Sequence, residues 1–241
     1  EELRVGQAVE GFYARAGLVT DTDLVDDYPG SYLAYSARQH RWARGDWQIA
    51  RWLWRTVPDA AGRSVANTLP VIARWKILDN LRRSLIPPAL VLLLALGWSV
   101  LPGSPALWTT LVLLVLAFPA YIQFARSLGS HRPGVPLGEH LRAEGDTIVT
   151  SLRQAVFSTL ILAHQSVVML DAIGRALVRM LVTRRRLLEW VTADRAERGY
   201  GDVWSVVRGM WQAPAVALGI TVLVALAAPD RLLLASPILI L

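Results

Sequence analysis

The sequence predicts a mainly α fold, a membrane helical bundle with interfacial helices, and three observations support that expectation. Residues 84–125 contain no Asp, Glu, Lys, Arg or His, a run long enough for two crossings at ~20 apolar residues each. A second uncharged run extends from Gly209 to Pro229. Across the 241 residues only 18% are charged, against roughly 25% in an ordinary soluble domain, and the mean hydropathy is +0.37. Disorder is excluded, because it needs low hydrophobicity and high net charge. The absence of Cys excludes a disulfide scaffold, thiolate metal sites and a cysteine nucleophile.

Taken in chain order, residues 1–56 form a basic and aromatic segment, and residues 57–85 form cytoplasmic or interfacial helices. Their cations, from Arg38 through Arg55 to Arg82 and Arg83, are all arginine except Lys76. The transmembrane hairpin 86–125 contains its own turn, Leu101-Pro102-Gly103-Ser104-Pro105, where two prolines and a glycine break the helix. Helices are expected at about 86–101 and 107–125. The turn is uncharged while both flanks are rich in arginine, so the positive-inside rule places 1–85 in the cytoplasm and the turn outside. Trp98, Trp108, Trp204 and Trp211 lie near the expected helix ends, where interfacial aromatics belong.

Residues 126–205 are expected to be cytoplasmic amphipathic helices at the interface. Gln154–Leu170 lacks charge apart from His164, yet arginines on both sides require an even number of crossings, and the stretch is too short for two. Asp171, Arg175 and Arg179 recur every four residues and form one charged face, with Ile173, Leu177 and Met180 mostly opposite. A single crossing by 154–170 is the competing expectation. Residues 206–241 form a second transmembrane hairpin, interrupted by Asp230-Arg231 and ending within an apolar run; the chain is read as a piece of a longer protein. The net charge of +6 fits cytoplasmic loops beside anionic lipid. Arg184-Arg185-Arg186 is most simply a headgroup anchor, since nucleic-acid binding would call for aromatic or polar interleaving on a soluble surface.

The chemistry-bearing segment is Tyr35–Trp47, YSARQHRWARGDW. One reading is an interfacial basic-aromatic helix. The other is a site for an anionic sugar nucleotide and its acceptor. The planar fork of arginine gives bidentate, charged hydrogen bonds to diphosphate oxygens, and an indole face suits the C–H groups of a sugar ring. Arg38, Arg41 and Trp42 fall at i, i+3 and i+4, so a single substrate can meet all three. Asp46-Trp47 extends the segment toward substrate or, for Asp46, toward a structural link with a nearby Arg. Asp26-Asp27 before Tyr28-Pro29 forms a turn or cap pair, and Asp21-Thr22-Asp23 a solvated turn. No glycine-rich phosphate loop, Ser/His/Asp arrangement or metal-spaced His cluster supports a hydrolase or kinase.

Arg38-Gln39-His40-Arg41-Trp42 resembles the Q-x-x-R-W motif of processive membrane glycosyltransferases such as cellulose synthases, with Arg38 in place of the usual glutamine. Three stretches resemble the cyclic β-1,2-glucan synthase family more closely. They are EGFYARAGLVTDTDLVDDYPGSY (10–32), RQHRWARGDWQ (38–48) with RWKILDNLRRSLIPPAL (74–90), and LDAIGRALVRMLVTRRRLLEW (170–190). The resemblance implies that residues 1–56 are the C-terminal piece of an α/β glycosyltransferase domain, GT-A-like, placed before the membrane bundle. It implies an inverting enzyme of the bacterial inner membrane that polymerises glucose from UDP-glucose into β-1,2-glucan, multi-pass with its N-terminal part cytoplasmic. Its partners would be lipid, UDP-glucose, the growing glucan, an N-terminal glycosyltransferase half and a downstream phosphorylase-like domain. A divalent cofactor, Mg or Mn, is implied, with ligands not in this chain.

Family members place a base Asp in a His-Asp-x-x-Glu-Gly stretch, which here is Gly6-Gln7-Ala8-Val9-Glu10-Gly11. Glu10 matches the Glu and is the candidate catalytic residue, whereas Gln7 stands at the Asp position and cannot accept a proton. Arg38, Arg41, Trp42, Asp46 and Trp47 are the candidate substrate-binding residues. The chain alone is expected to be inactive. A cellulose-type synthase and a degenerate, non-catalytic membrane module remain as alternatives.

Overall fold

The computed structural model describes residues 29–59, 61–129, 137–183 and 203–239. The described chain is mainly helical. It runs as α1 (Tyr32–Gln48), a 3-10 turn (Ala50–Leu53), a two-stranded hairpin of β1 (Thr56–Pro58) and β2 (Ser64–Ala66), and α2 (Val71–Ser99). Then follow α3 (Pro105–Leu116), α4 (Phe118–Gly129), α5 (Leu137–Leu160), α6 (Leu162–Val178) with a π-type turn at Arg179–Thr183, α7 (Val203–Met210), α8 (Gln212–Ala227) and α9 (Leu232–Leu239). The helices divide into two compact units, the first built from residues up to Pro88 with Gln165–Trp211, the second from Ala89–His164 with Gln212–Leu241.

In the first unit, the strands pair antiparallel with Thr56 opposite Ala66, Val57 opposite Val65 and Pro58 opposite Ser64. The turn between them is held by Asp59, whose Oδ1 accepts from the amides of Ala61 and Arg63 at 2.9 and 2.8 Å. Gly62 completes it at φ 78°, a left-handed conformation that costs glycine nothing. Asn67 ties the hairpin to its neighbours. Its Nδ2 donates to the carbonyls of Trp52 and Trp54 at 2.7 and 2.8 Å, and its Oδ1 accepts from Leu69 N at 3.0 Å. Ile49, Leu69, Ala73, Ile77 and Leu81 form the core here, with Trp47, Trp52 and Leu53 packed against it.

Helix α2 begins at Val71, well before the helix start expected near residue 86, and runs on through that position to Ser99. Its charges explain why. Arg82 and Arg83 both pair with Asp79, at 2.7 and 2.6 Å, and such i,i+3 and i,i+4 pairs support a continuous helix. Pro87 and Pro88 lie inside it, where they withhold two amide donors from the ladder without ending it. The expected helix 107–125 is instead divided into α3 and α4. Pro119 follows Phe118 at the start of α4 and has no amide to bond Val115, so α3 closes at Ala117.

In the second unit, Trp98 is buried, 1% exposed, and donates its indole N–H to Thr109 Oγ1 at 3.0 Å. It is therefore a packing residue rather than an exposed interfacial aromatic, whereas Trp204 and Trp211 are exposed. Trp108 donates to Pro102 O at 3.1 Å, lying across Gly97, where an added Cβ would come within 2.4 Å of the ring. Val91, Leu94 and Trp98 with residues of α5, α6, α8 and α9 line an apolar cavity of about 410 Å³. Among the described residues, one helix, Val71–Ser99, is long and apolar enough to cross a membrane, or up to three spans exist if each bent helix pair counts as one.

Candidate functional site

Helix α1 carries the candidate segment. Ser31 caps it, its Oγ accepting from Ala34 N at 3.2 Å, which satisfies one of the amides left open at a helix start. One side is buried through Leu33, Ala34, Ser36 and Ala43. The opposite side is where three candidate residues meet solvent. Arg38 stacks its guanidinium on the Trp42 indole, 4.4 Å from the ring centroid, and Trp42 is 51% exposed. Arg41 follows on the same side, three residues from Arg38. A half-exposed indole with a guanidinium on one face presents a hydrophobic plate and charged donors within one helical turn.

Asp46 and Trp47 take a different role. Trp47 lies five residues beyond Trp42, about 500° along the helix and so well round to the other side. Its Nε1 donates to Ser84 Oγ on α2 at 2.9 Å, and Ser84 Oγ passes its own proton to Leu81 O at 2.7 Å. Asp46 accepts from Asn80 Nδ2 at 3.0 Å. The partner on α2 is thus an amide, with Arg83 acting only through its charge; burial pushes the Asp46 carboxyl up from its ordinary value, with the Asn80 bond and the Arg83 charge opposing it. Asn80 and Ser84 are one turn apart, so the pair Asp46-Trp47 buttons α1 onto α2.

The buried side of α1 meets α6. Ala43 packs with Met169 and Ala172, and Val168 joins them. Next to that contact, His40 Nε2 lies 2.8 Å from Asp171 Oδ2, and Arg175 Nε holds the same carboxylate oxygen at 2.7 Å. Burial holds the His40 imidazole below its ordinary pKa, and the Asp171 hydrogen bond and charge only partly oppose it. The neutral ring carries its proton on Nε2, because an ionised carboxylate can only accept. The i,i+4 spacing of Asp171 and Arg175 was visible in the sequence; nothing in it linked either residue to His40, 131 positions away.

Glu10, Gln7, Asp21, Asp23, Asp26 and Asp27 lie outside the described residues, as does Arg184-Arg185-Arg186. His164 is buried, 3% exposed. Among the described residues no group of three His, Asp or Glu side chains is placed to hold a metal ion, so a divalent cation finds no ligand set there.

No family model matches the chain. Over 212 residues, 87% of its length, it is 38% identical to the cyclic beta-(1,2)-glucan synthase NdvB of Rhizobium meliloti (strain 1021). The chain spans about 7% of the length of that curated relative.

Proposed function

We propose, on the premise that this segment belongs to the cyclic β-1,2-glucan synthase family, that it is part of a membrane-bound inverting glycosyltransferase that polymerises glucose from UDP-glucose. The product is β-1,2-glucan, made at the cytoplasmic face of the bacterial inner membrane. The observation that supports the reading best is the Arg38 guanidinium stacked on the half-exposed Trp42 indole, with Arg41 beside them on α1. In inverting transfer the acceptor hydroxyl attacks the anomeric carbon, a carboxylate takes its proton and UDP departs with the bonding pair. Arg41 and Arg38 meet the diphosphate, whose negative charge grows as the bond breaks, and Trp42 offers the acceptor ring its face. Asp46 and Trp47 serve the substrates by holding α1 on α2. Glu10 is the carboxylate assigned to this segment; the divalent ion and its ligands belong to the rest of the parent chain.

The test uses the full-length synthase in native membranes supplied with radiolabelled UDP-glucose. Trp42→Ala raises the acceptor KM about tenfold and leaves UDP-glucose affinity nearly unchanged, while Arg41→Ala weakens UDP-glucose by a similar factor. Unchanged kinetics in both variants return α1 to the role of an interfacial anchor. Linkage analysis of the product separates a β-1,2 from a cellulose-type synthase. A non-catalytic membrane module is the second reading, favoured by Gln7 at the base position; robust activity of the unaltered full-length protein overturns it.

A further inference from the structure

Helix α1 touches α6 through residues that have no directional preference. Ala43 and Ala172 are small and buried, 4% and 0% exposed, and Met169 beside them is flexible. Small side chains let two helices approach closely, but apolar contact alone tolerates rotation about the axis, and methionine adapts to more than one arrangement. A turn by a single residue position moves a side chain about 100° around the helix. Such a turn would carry Arg38, Arg41 and Trp42 away from the side they now occupy. Besides the Asp46 and Trp47 bonds that hold its C-terminal end on α2, α1 makes a directional contact with α6 inside this apolar seam: His40 Nε2 to Asp171 Oδ2 at 2.8 Å. His40 immediately precedes Arg41-Trp42, and Asp171 sits between Met169 and Ala172, so the bond lies within the apolar contact it would have to lock. Arg175 also holds the acceptor, its Nε 2.7 Å from the same oxygen.

We infer that Asp171, itself held by Arg175, is a positioning residue for the transfer reaction: through His40, and together with the Asp46 and Trp47 bonds to α2, it fixes the rotation of α1 and thereby the aim of Arg41 and Trp42. The inference rests on the substrate role of α1 given above. It assigns no substrate contact to Asp171 or His40. A hydrogen bond with an ionised partner is the kind of contact whose loss shifts affinity without removing chemistry.

The experiment measures KM for UDP-glucose and acceptor, and kcat, in the full-length synthase in membranes, with the amount and thermal stability of each variant determined alongside. Asp171→Ala raises KM for one or both substrates about tenfold with kcat changed far less. Asp171→Asn, which keeps an oxygen to accept from Nε2, restores KM to near the wild-type value, and His40→Gln, which keeps a donor, behaves likewise. The double variant His40→Ala/Asp171→Ala is no worse than either alanine variant alone, as expected of partners in one interaction. Three results overturn the inference: unchanged KM in Asp171→Ala, equal loss in the alanine and asparagine variants, or additive effects in the double variant. Arg41→Ala and Trp42→Ala measured in the same series keep the two readings apart. If those variants are impaired while Asp171→Ala is not, only the positioning role fails; if they too are unaffected, the substrate role of α1 has failed.

Discussion

His40 illustrates how one side chain can belong to a motif by sequence and to the packing by geometry. Its neighbours Arg41 and Trp42, half-buried and exposed in turn, are substrate candidates, yet the imidazole points to Asp171 and is partly buried beside Arg44 and Arg175. Burial, and the charges of both arginines, lower its pKa, while Asp171 raises it. The folded protein therefore binds this proton less tightly than the unfolded chain, and stability rises with pH in this range. The contribution is complete above the unfolded value of 6.5 and is lost as pH falls through the lower folded value. Thermal melts of the solubilised full-length protein between neutral and mildly acid pH should show that decline, and His40→Gln should flatten it. An unaltered slope in the variant would place the acid sensitivity elsewhere. Trp47 shows the reverse case: an aromatic that looked like part of a substrate surface spends its indole N–H on Ser84.

At the scale of elements, the stretches legible in the sequence were those governed by a single local rule. Uncharged runs and the prolines of the 102–105 turn act within a few residues, and helices α1, α3 and α8 lie where those rules placed apolar or basic-aromatic stretches. Boundaries decided by balance between rules were not legible. Continuation of α2 past residue 86 depends on the Asp79–Arg82–Arg83 pairs outweighing Pro87-Pro88. The contacts of α1 were hidden for a different reason, since Asn80, Ser84 and Asp171 are ordinary helix residues until the chain is folded. The close crossing of α2 and α3 was equally invisible, because Gly97 is one of 17 glycines. Its measure is Gly97→Ala, whose Cβ would meet the rigid Trp108 ring at 2.4 Å. Overpacking of this kind costs about 1–3 kcal/mol, which unfolding of the solubilised protein by heat or denaturant would report.

At the scale of the molecule, the distribution of arginine predicts an orientation, N-terminal part cytoplasmic, that the fold makes testable. The Asp59–Gly62 turn belongs to the arginine-rich unit, while the Pro102–Ser104 turn follows α2, which is long and apolar enough to span by itself. The chain has no Cys, so Ala61→Cys, at an exposed position of the turn, and Ser104→Cys each introduce a single thiol into this segment. A membrane-impermeant maleimide applied to intact cells should label the position 104 thiol and reach the one at position 61 only after permeabilisation; the opposite pattern inverts the proposed topology. Apolar patterning marked the stretches long enough to span a membrane, whereas the proposed transfer site draws on residues from α1, α2 and α6 that are far apart in the chain.

Asn67 gives the first unit an unusual dependence on one nitrogen atom. Its amide serves both the Trp52 and Trp54 carbonyls while its oxygen receives Leu69 N. Hydrolysis of that amide to a carboxylate, a change proteins undergo with age, would set a negative oxygen against two carbonyl oxygens and turn a clasp into a mutual repulsion. The corner where the hairpin hands over to α2 is thus a place where slow chemical wear would loosen the first unit.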